Sequence, residues 1–555
     1  MAKPGAQTTR LLKTEQGGDE DGTPSKKEKP LRALKEDIFA ACAGFVTGTV
    51  AFICVYFFFQ YLNEHNRPVY APEDHIFEHD EHPFTAFEDA PDSSIKGPEI
   101  IPPADPTPPS PSDFSLTSDF WTSEAVQVES GPESVEWAPL IFTECVSGME
   151  DQWAPCMVEK AKKIAAEDKK KNPIEASVVR AEEWVFPPFV LRFPYFPNDK
   201  YREAWLKPIY DKGSLKMRRY DFSIVDNELH YVHELRAQNL VFSDVVVAQP
   251  EPEEWSHGCF STAASHRSAL AVDKRPKGQR TEDADLVFFA RSPESHTFQY
   301  FMGRVTHLLI QSRHLWNSVK KRGGKIKMIG GEKPGRINED MMEMLGIGAG
   351  ERVYGGGPEK AKQIVYNCRS VLMHPWFFLR FTELMGVMRD TPMEERKTVF
   401  YLPPKGDFRK VLNEEVLLEV ISKRLEERGQ GETLVVLDSH RTAKDMLQLL
   451  GKNARAIIGP HGGKFYNMLF CPKNTLVIEF NPPDRGGWSQ FYEYAAMLDF
   501  VYAQLPISPT AKPEHNMFVP PDHVLQILDE HLGKIPSSPM LMHKSVYLPK
   551  EVLFA

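Results

Sequence analysis

Gly459-Pro460-His461-Gly462-Gly463 follows the apolar run 454–458 without a break. Glycines let a backbone approach a ligand, and the amides that open a following helix make an anion site suited to a diphosphate. His461 brings a side-chain donor to the same place. An ordinary glycine-rich turn between strand and helix carries the same residues, so glycines alone leave both readings open. Lys405, Arg409 and Lys410 follow an earlier apolar run and add positive charge; the alternative for them is a solvated loop. Glu479 ends a third run, where an acidic residue often meets a ribose.

Other chemistries lack their residues. There is no His-Glu-x-x-His, no Cys-x-x-Cys and no Gly-x-Ser-x-Gly. Asp438, Ser439 and His440 are consecutive, which is not how a hydrolase triad is ordered. Gly346-x-Gly348-x-Gly350 follows no strand and reads as a loop. His75, His79 and His82 lie among acidic residues, but a solvated stretch without fixed geometry accounts for them.

The elements that must hold the rim alternate. TVFYL (398–402), TLVVLD (433–438), ARAII (454–458), TLVIEF (475–480) and FVYAQL (500–505) read as strands. Between them, 413–428, 442–450 and 488–498 read as amphipathic helices, the second ended by Gly451. Continuous apolar strands alternating with helices imply a parallel sheet covered on both faces. Ligands then bind beyond the strands' carboxyl ends, at 405–410, 438–441, 459–467 and 479–487. Upstream, LVFFA (286–290), KIKMIG (325–330) and RSVLM (369–373) read as strands and 297–320 as a long helix. They suggest a first α/β domain with extra elements.

The chain has 555 residues and a formal net charge of −11. An acidic surplus argues against a nucleic-acid binder, which must neutralise phosphates. Residues 38–62, IFAACAGFVTGTVAFICVYFFFQYL, carry no formal charge. As a helix they extend about 37 Å, enough to span a bilayer core of about 30 Å. Lys26, Lys27, Lys29, Arg32 and Lys35 precede the run, and Arg67 is the only Lys or Arg between it and Lys96. The positive-inside rule therefore predicts a cytoplasmic N-terminus and a lumenal C-terminal part, a single-pass type II arrangement. Residues 1–37 read as a disordered tail and 63–134 as an acidic, proline-rich stem. Residues 135–395 are expected to form an N-terminal α/β domain, and 396–555 a Rossmann-like domain. Cys145 and Cys156 are the closest cysteine pair downstream of the span, where an oxidising lumen permits disulfides. No N-glycosylation sequon lies downstream of it.

IIGPHGGKFYNMLFCPKNTLVIEF (457–480) resembles the signature of glycosyltransferase family 61. VLMHPWFFLRFTELM (371–385), RKVLNEE (409–415) and GGWSQFYEYAAMLDFVY (486–502) are similar to that family's other segments, in the same order. Lys464, Phe465 and Tyr466 stand where the family usually has Gly, Leu and Thr or Ser. Gly303 falls near a position that is often acidic in related enzymes. The resemblance implies a GT-B-like fold and inverting transfer of xylose, arabinose or N-acetylglucosamine from a UDP-sugar. It also implies a secretory-pathway setting, in the Golgi or endoplasmic reticulum, and a glycoprotein or polysaccharide acceptor.

On that footing Arg409, His461, Gly462 and Gly463, with Lys405, are expected to meet the diphosphate. Asn467 belongs to the same nucleotide-sugar rim, and Glu479 is expected to meet the nucleoside. Inverting transfer needs a base for the acceptor hydroxyl, and Glu294 and His296 are the nearest candidates. Asp283-Ala-Asp285 resembles the Asp-x-Asp with which many other glycosyltransferases hold Mn²⁺. It precedes a strand instead of following one, so no obligatory metal is expected. The rival expectation is a membrane-tethered carbohydrate- or protein-binding module that kept the fold without turnover.

Overall fold

Arg180, Glu182 and Glu183 fall within a strand that is buried along nearly its whole length, in the first of two large sheets of the computed structural model. The structure describes residues 116, 118–121, 126, 139–171, 173–211, 222–231, 235–243, 246–247, 270–271, 280–281, 284–290, 295–355, 359–360, 362–371, 373–404, 406, 408–437, 442–482, 490–510 and 515–542. The expected span at 38–62, most of the expected stem, Asp283, Glu294, Lys405 and 438–441 lie outside the described residues. Near the end of that stem, however, Ser118–Trp121 form a 3-10 turn. Phe120, Trp121 and Val126 are buried in the core, where the Trp121 carbonyl accepts from Arg180. Among the described residues, no helix is long and apolar enough to cross a membrane.

The first sheet contains β1 (Leu140–Phe142), β2 (Val178–Phe186), β3 (Leu235–Ser243), β4 (Leu286–Phe289), β5 (Ile326–Ile329), β6 (Arg352–Val353) and β7 (Gln363–Arg369). Their order is β1-β2-β3-β7-β4-β5-β6. The β7-β4-β5-β6 block is parallel, and β1, β2 and β3 join it antiparallel. Strand period alone sorts β4: Val287 and Phe289 pack on one face with helix α1 (Ala154–Glu167), Leu286 and Phe288 on the other with α2 (Thr306–Lys321). The charged residues of β2 are buried because they bond with one another and their neighbours. Arg180 lies 2.6 Å from Glu182, which also accepts from His314 at 2.8 Å and Asn239 at 2.9 Å. Glu183 accepts the α1 amide of Ala154 at 3.0 Å. Cys145 and Cys156 form a disulfide beside this sheet.

The second sheet is wholly parallel: β8 (Thr398–Tyr401), β9 (Thr433–Val436), β10 (Ala454–Pro460), β11 (Leu476–Asn481) and β12 (Val501–Pro506). Each expected strand appears within two residues of its sequence bounds. Spatial order is β9-β8-β10-β11-β12, so the chain turns back between β8 and β10. Helices α4 (Glu414–Arg428) and α7 (Pro521–His531) pack on one face. The other face joins a core with α3 (Pro375–Leu384), α5 (Ala443–Asn453) and α6 (Gln490–Met497) that continues to Phe288 and Trp316 of the first sheet's layer. The mixed α/β fold with parallel sheets therefore stands.

Three local expectations change. RSVLM (369–373) is not a strand; the strand is Gln363–Arg369, whose Asn367 is buried and bonds Asn239 at 2.7 Å. The long helix is interrupted by a π-helical turn, Phe301–Val305, between Phe298–Tyr300 and α2. Gly451 lies inside α5, which runs to Asn453; Thr442 opens it with a capping box to Asp445.

Candidate active site

A parallel sheet offers its crevice where successive connections leave in opposite directions, beyond the strands' carboxyl ends. Here that point lies between β8 and β10. The loop after β8 carries Arg409 and the turn after β10 carries His461, and the structure joins them. The Arg409 guanidinium donates to the His461 carbonyl at 2.7 Å. Arg409 holds a left-handed backbone, φ 59°, which brings the half-buried side chain across to the turn.

The His461 amide donates to Phe480 O at 2.8 Å, and its ring lies 5.2 Å from that of Phe491. Its Nδ1 is 2.5 Å from Glu479 Oε1. Glu479 is fully buried on β11, directly across from Gly459 on one side and Gln504 on the other. Its other oxygen accepts from the Tyr502 hydroxyl and from Gln504 Nε2 at 3.3 Å. Burial pushes the Tyr502 phenol well above its ordinary pKa, with the Glu479 charge adding to the shift, so it stays a donor. Glu479 is thus absent from the open rim where a nucleoside contact was expected. The carboxylate is enclosed behind the imidazole.

The glycines have separate packing reasons. A Cβ on Gly459 would stand 2.5 Å from the Leu402 carbonyl oxygen, so β10 needs glycine to approach the β8 end. A Cβ on Gly463 would stand 2.7 Å from Gln299 Oε1, on the helical turn after β4. Gly462 is extended and lies against the Arg409 guanidinium, 3.7 Å from a Cβ built there. The turn opens a short 3-10 helix, Gly463–Phe470, in which Asn467 Nδ2 donates to Lys464 O at 2.7 Å. That nitrogen braces the helix end, and Asn467 is mostly buried.

His296 lies on the loop beyond β4, at the carboxyl edge of the other sheet. Its Nδ1 is 2.9 Å from Glu332, on the loop beyond β5. Asp285 sits at the opposite, amino end of β4. It accepts from the Lys325 amide at 2.8 Å and pairs with Lys362 at 2.6 Å, a turn brace with no opening toward the rim. Among the described residues no group of His, Cys, Asp or Glu is arranged to hold a metal.

Several residues at the site escaped the sequence reading. Gln299 covers Gly463, and Arg304 stacks on Tyr300 at 4.5 Å, the i,i+4 spacing that could have flagged it. Tyr502 and Gln504 were visible as polar side chains two apart in a strand that must be buried, and so on one face. Tyr466 is fully buried; its hydroxyl accepts from Gln490 and closes on Gly303, two chain positions that depart from the family's usual residues.

Residues 229–478 match the family model described as Glycosyltransferase 61. The match includes 371–385 and 409–415 whole and 457–480 up to residue 478, and ends before 486–502. No curated protein matches the chain. This stretch of the chain belongs to glycosyltransferase family 61, as its glycine-histidine turn and its neighbours implied.

Proposed function

We propose that the chain is a single-pass type II membrane enzyme of the Golgi or endoplasmic reticulum. It would transfer xylose, N-acetylglucosamine or arabinose from a UDP-sugar to a glycoprotein or polysaccharide acceptor, with inversion, on a GT-B-like scaffold. The observation that carries this reading is the Arg409–His461 hydrogen bond at the switch point of the second sheet. A guanidinium, an imidazole and a glycine turn converge where a diphosphate would bind.

In this reading the acceptor hydroxyl oxygen bonds to the anomeric carbon from the face opposite the diphosphate. The bond to the diphosphate oxygen breaks, its electron pair leaves with UDP, and the acceptor proton passes to a base, Glu294 or His296. Arg409, His461, Gly462 and Gly463, with Lys405, hold the leaving charge, so no metal is obligatory. Residues 38–62 anchor the protein, 63–115 form its stem, and the folded parts either side of residue 395 serve acceptor and donor.

The second reading is a tethered binding module without turnover. One observation favours it: Gly303 carries no acid, and Tyr466 fills the space beside it. The detergent-solubilised full chain, screened with UDP-xylose, UDP-N-acetylglucosamine and UDP-arabinose for hydrolysis and for transfer to glycan acceptors, separates the two. Turnover supports the enzyme, and donor binding without turnover selects the module. Loss of turnover in EDTA, restored by Mn²⁺, overturns the metal-free mechanism.

A further inference from the structure

Phe298 and Gln299 lie on the helical turn after β4 and reach the glycine turn of the second sheet. Thr297 caps the turn that carries them. Its hydroxyl accepts the Tyr300 amide at 3.4 Å, and its carbonyl accepts the Phe301 amide at 3.1 Å. The two residues then meet different partners. The Phe298 ring packs edge-on against Tyr466 at 6.4 Å, which docks the segment on the 3-10 helix Gly463–Phe470. Gln299 lies along Gly463, so that its Oε1 and Cβ would stand 2.7 and 3.1 Å from a Cβ there.

Packing alone does not call for an amide at this place. A methionine of similar length would cover Gly463 without polar groups to satisfy. Gln299 is half-buried, and among the described residues its amide has no hydrogen-bond partner. That amide offers two N–H donors and a carbonyl. The preceding glycine, Gly462, lies against the Arg409 guanidinium. A cation and an unpartnered amide thus border consecutive residues of the proposed diphosphate turn.

We infer that Gln299 is a donor-binding residue, contributed by the first sheet's part of the chain, whose amide donates to the phosphate that carries the sugar. The inference rests on the donor site proposed above. The phosphate bonded to the transferred sugar is the one nearest the acceptor, and Gln299 comes from the side proposed to serve the acceptor. A glutamine amide can turn either way, so a phosphate oxygen selects its nitrogen. A hydrogen bond to a charged group of this kind is worth roughly 10–100-fold in affinity.

The test titrates the detergent-solubilised full chain with UDP and with UMP, which lacks the second phosphate. Gln299→Met keeps length and packing but removes the amide. It is expected to weaken UDP binding roughly 10–100-fold and to leave UMP binding within about two-fold of wild type. Gln299→Glu replaces the donors with a negative charge, so UDP should bind more weakly still. Wild-type UDP affinity in Gln299→Met overturns the inference. So does an equal loss for UDP and UMP, which would mark a general disturbance of the turn. Should Gln299→Met fail to fold, Gln299→Glu decides by the same ratio of UDP to UMP affinity. Loss of UDP binding in Arg409→Ala but not in the Gln299 variants would leave the donor site standing and remove Gln299 from it. A wild-type chain that binds neither nucleotide refutes the donor site itself.

Discussion

Tyr466 closes over Gly303 so tightly that any side chain at position 303 would meet its hydroxyl. The contact joins the π-helical turn after β4 to the short helix after the glycine turn, and so couples the rims of the two sheets. Gly303→Ala is expected to destabilise the protein by about 1–3 kcal/mol, the usual range for overpacking. In a Tyr466→Phe background the penalty should shrink, because the colliding oxygen is gone. A double-mutant cycle read by urea denaturation checks this; additive penalties would mean the two residues do not touch.

Arg409 combines its proposed diphosphate contact with a left-handed backbone. Arg409→Ala is expected to weaken UDP-sugar binding by about ten-fold or more, since a charge-assisted bond and a cation leave the site. Arg409→Gly should weaken it equally while easing the left-handed φ of 59°, gaining up to about 1 kcal/mol of stability. Calorimetric titration gives the affinity and thermal melting the stability. Unchanged donor affinity in both variants would remove Arg409 from the diphosphate site.

His307 sets an acid limb to stability. Burial among Phe377 and Phe378 pushes its pKa down to about 3. The folded value lies below the unfolded one of about 6.5, so the unfolded chain binds the extra proton. Stability from this group is fully present above about pH 6.5 and is lost as pH falls toward about 3, at roughly 1.4 kcal/mol per pH unit. His307→Leu should flatten denaturation midpoints between pH 7 and 5. Glu182 acts lower: burial opposes its charge, but His314 and Arg180 outweigh burial and hold it well below the usual carboxylate range. Its contribution is present above about pH 4.3 and fades below that, so the two limbs are separable.

The cysteines divide by environment. The Cys145–Cys156 bridge closes a short loop, and Cys145→Ser with Cys156→Ser is expected to cost about 2–3 kcal/mol. Cys471 is buried, and burial pushes its thiol far above the ordinary range. Iodoacetamide should leave Cys471 unmodified in the native protein and label it only after unfolding, as peptide mass mapping would read.

Much of the second sheet was legible because β8, β10, β11 and β12 are buried and their residues are apolar, so a run of Val, Ile and Phe is itself the signal. The first sheet hid behind its own polarity. Arg180, Glu182, Asn239 and Asn367 sit inside strands, satisfied by one another, by His314 and by Gln311. A reading by hydrophobic period excludes such strands, and so placed one at 369–373 instead of 363–369.

The sequence by itself determined the alternating α/β order, the glycine-histidine turn and the family that 229–478 belongs to, because these depend on local residue order. Tertiary structure alone decided what the side chains at that turn do. Arg409 and His461 are 52 positions apart and meet only because β8 and β10 are neighbours. Glu479 looked like a rim residue at a strand's end, but the register of β10, β11 and β12 buries it between Gly459 and Gln504. A buried charge must be satisfied by what surrounds it, and spacing along the chain does not say what that will be.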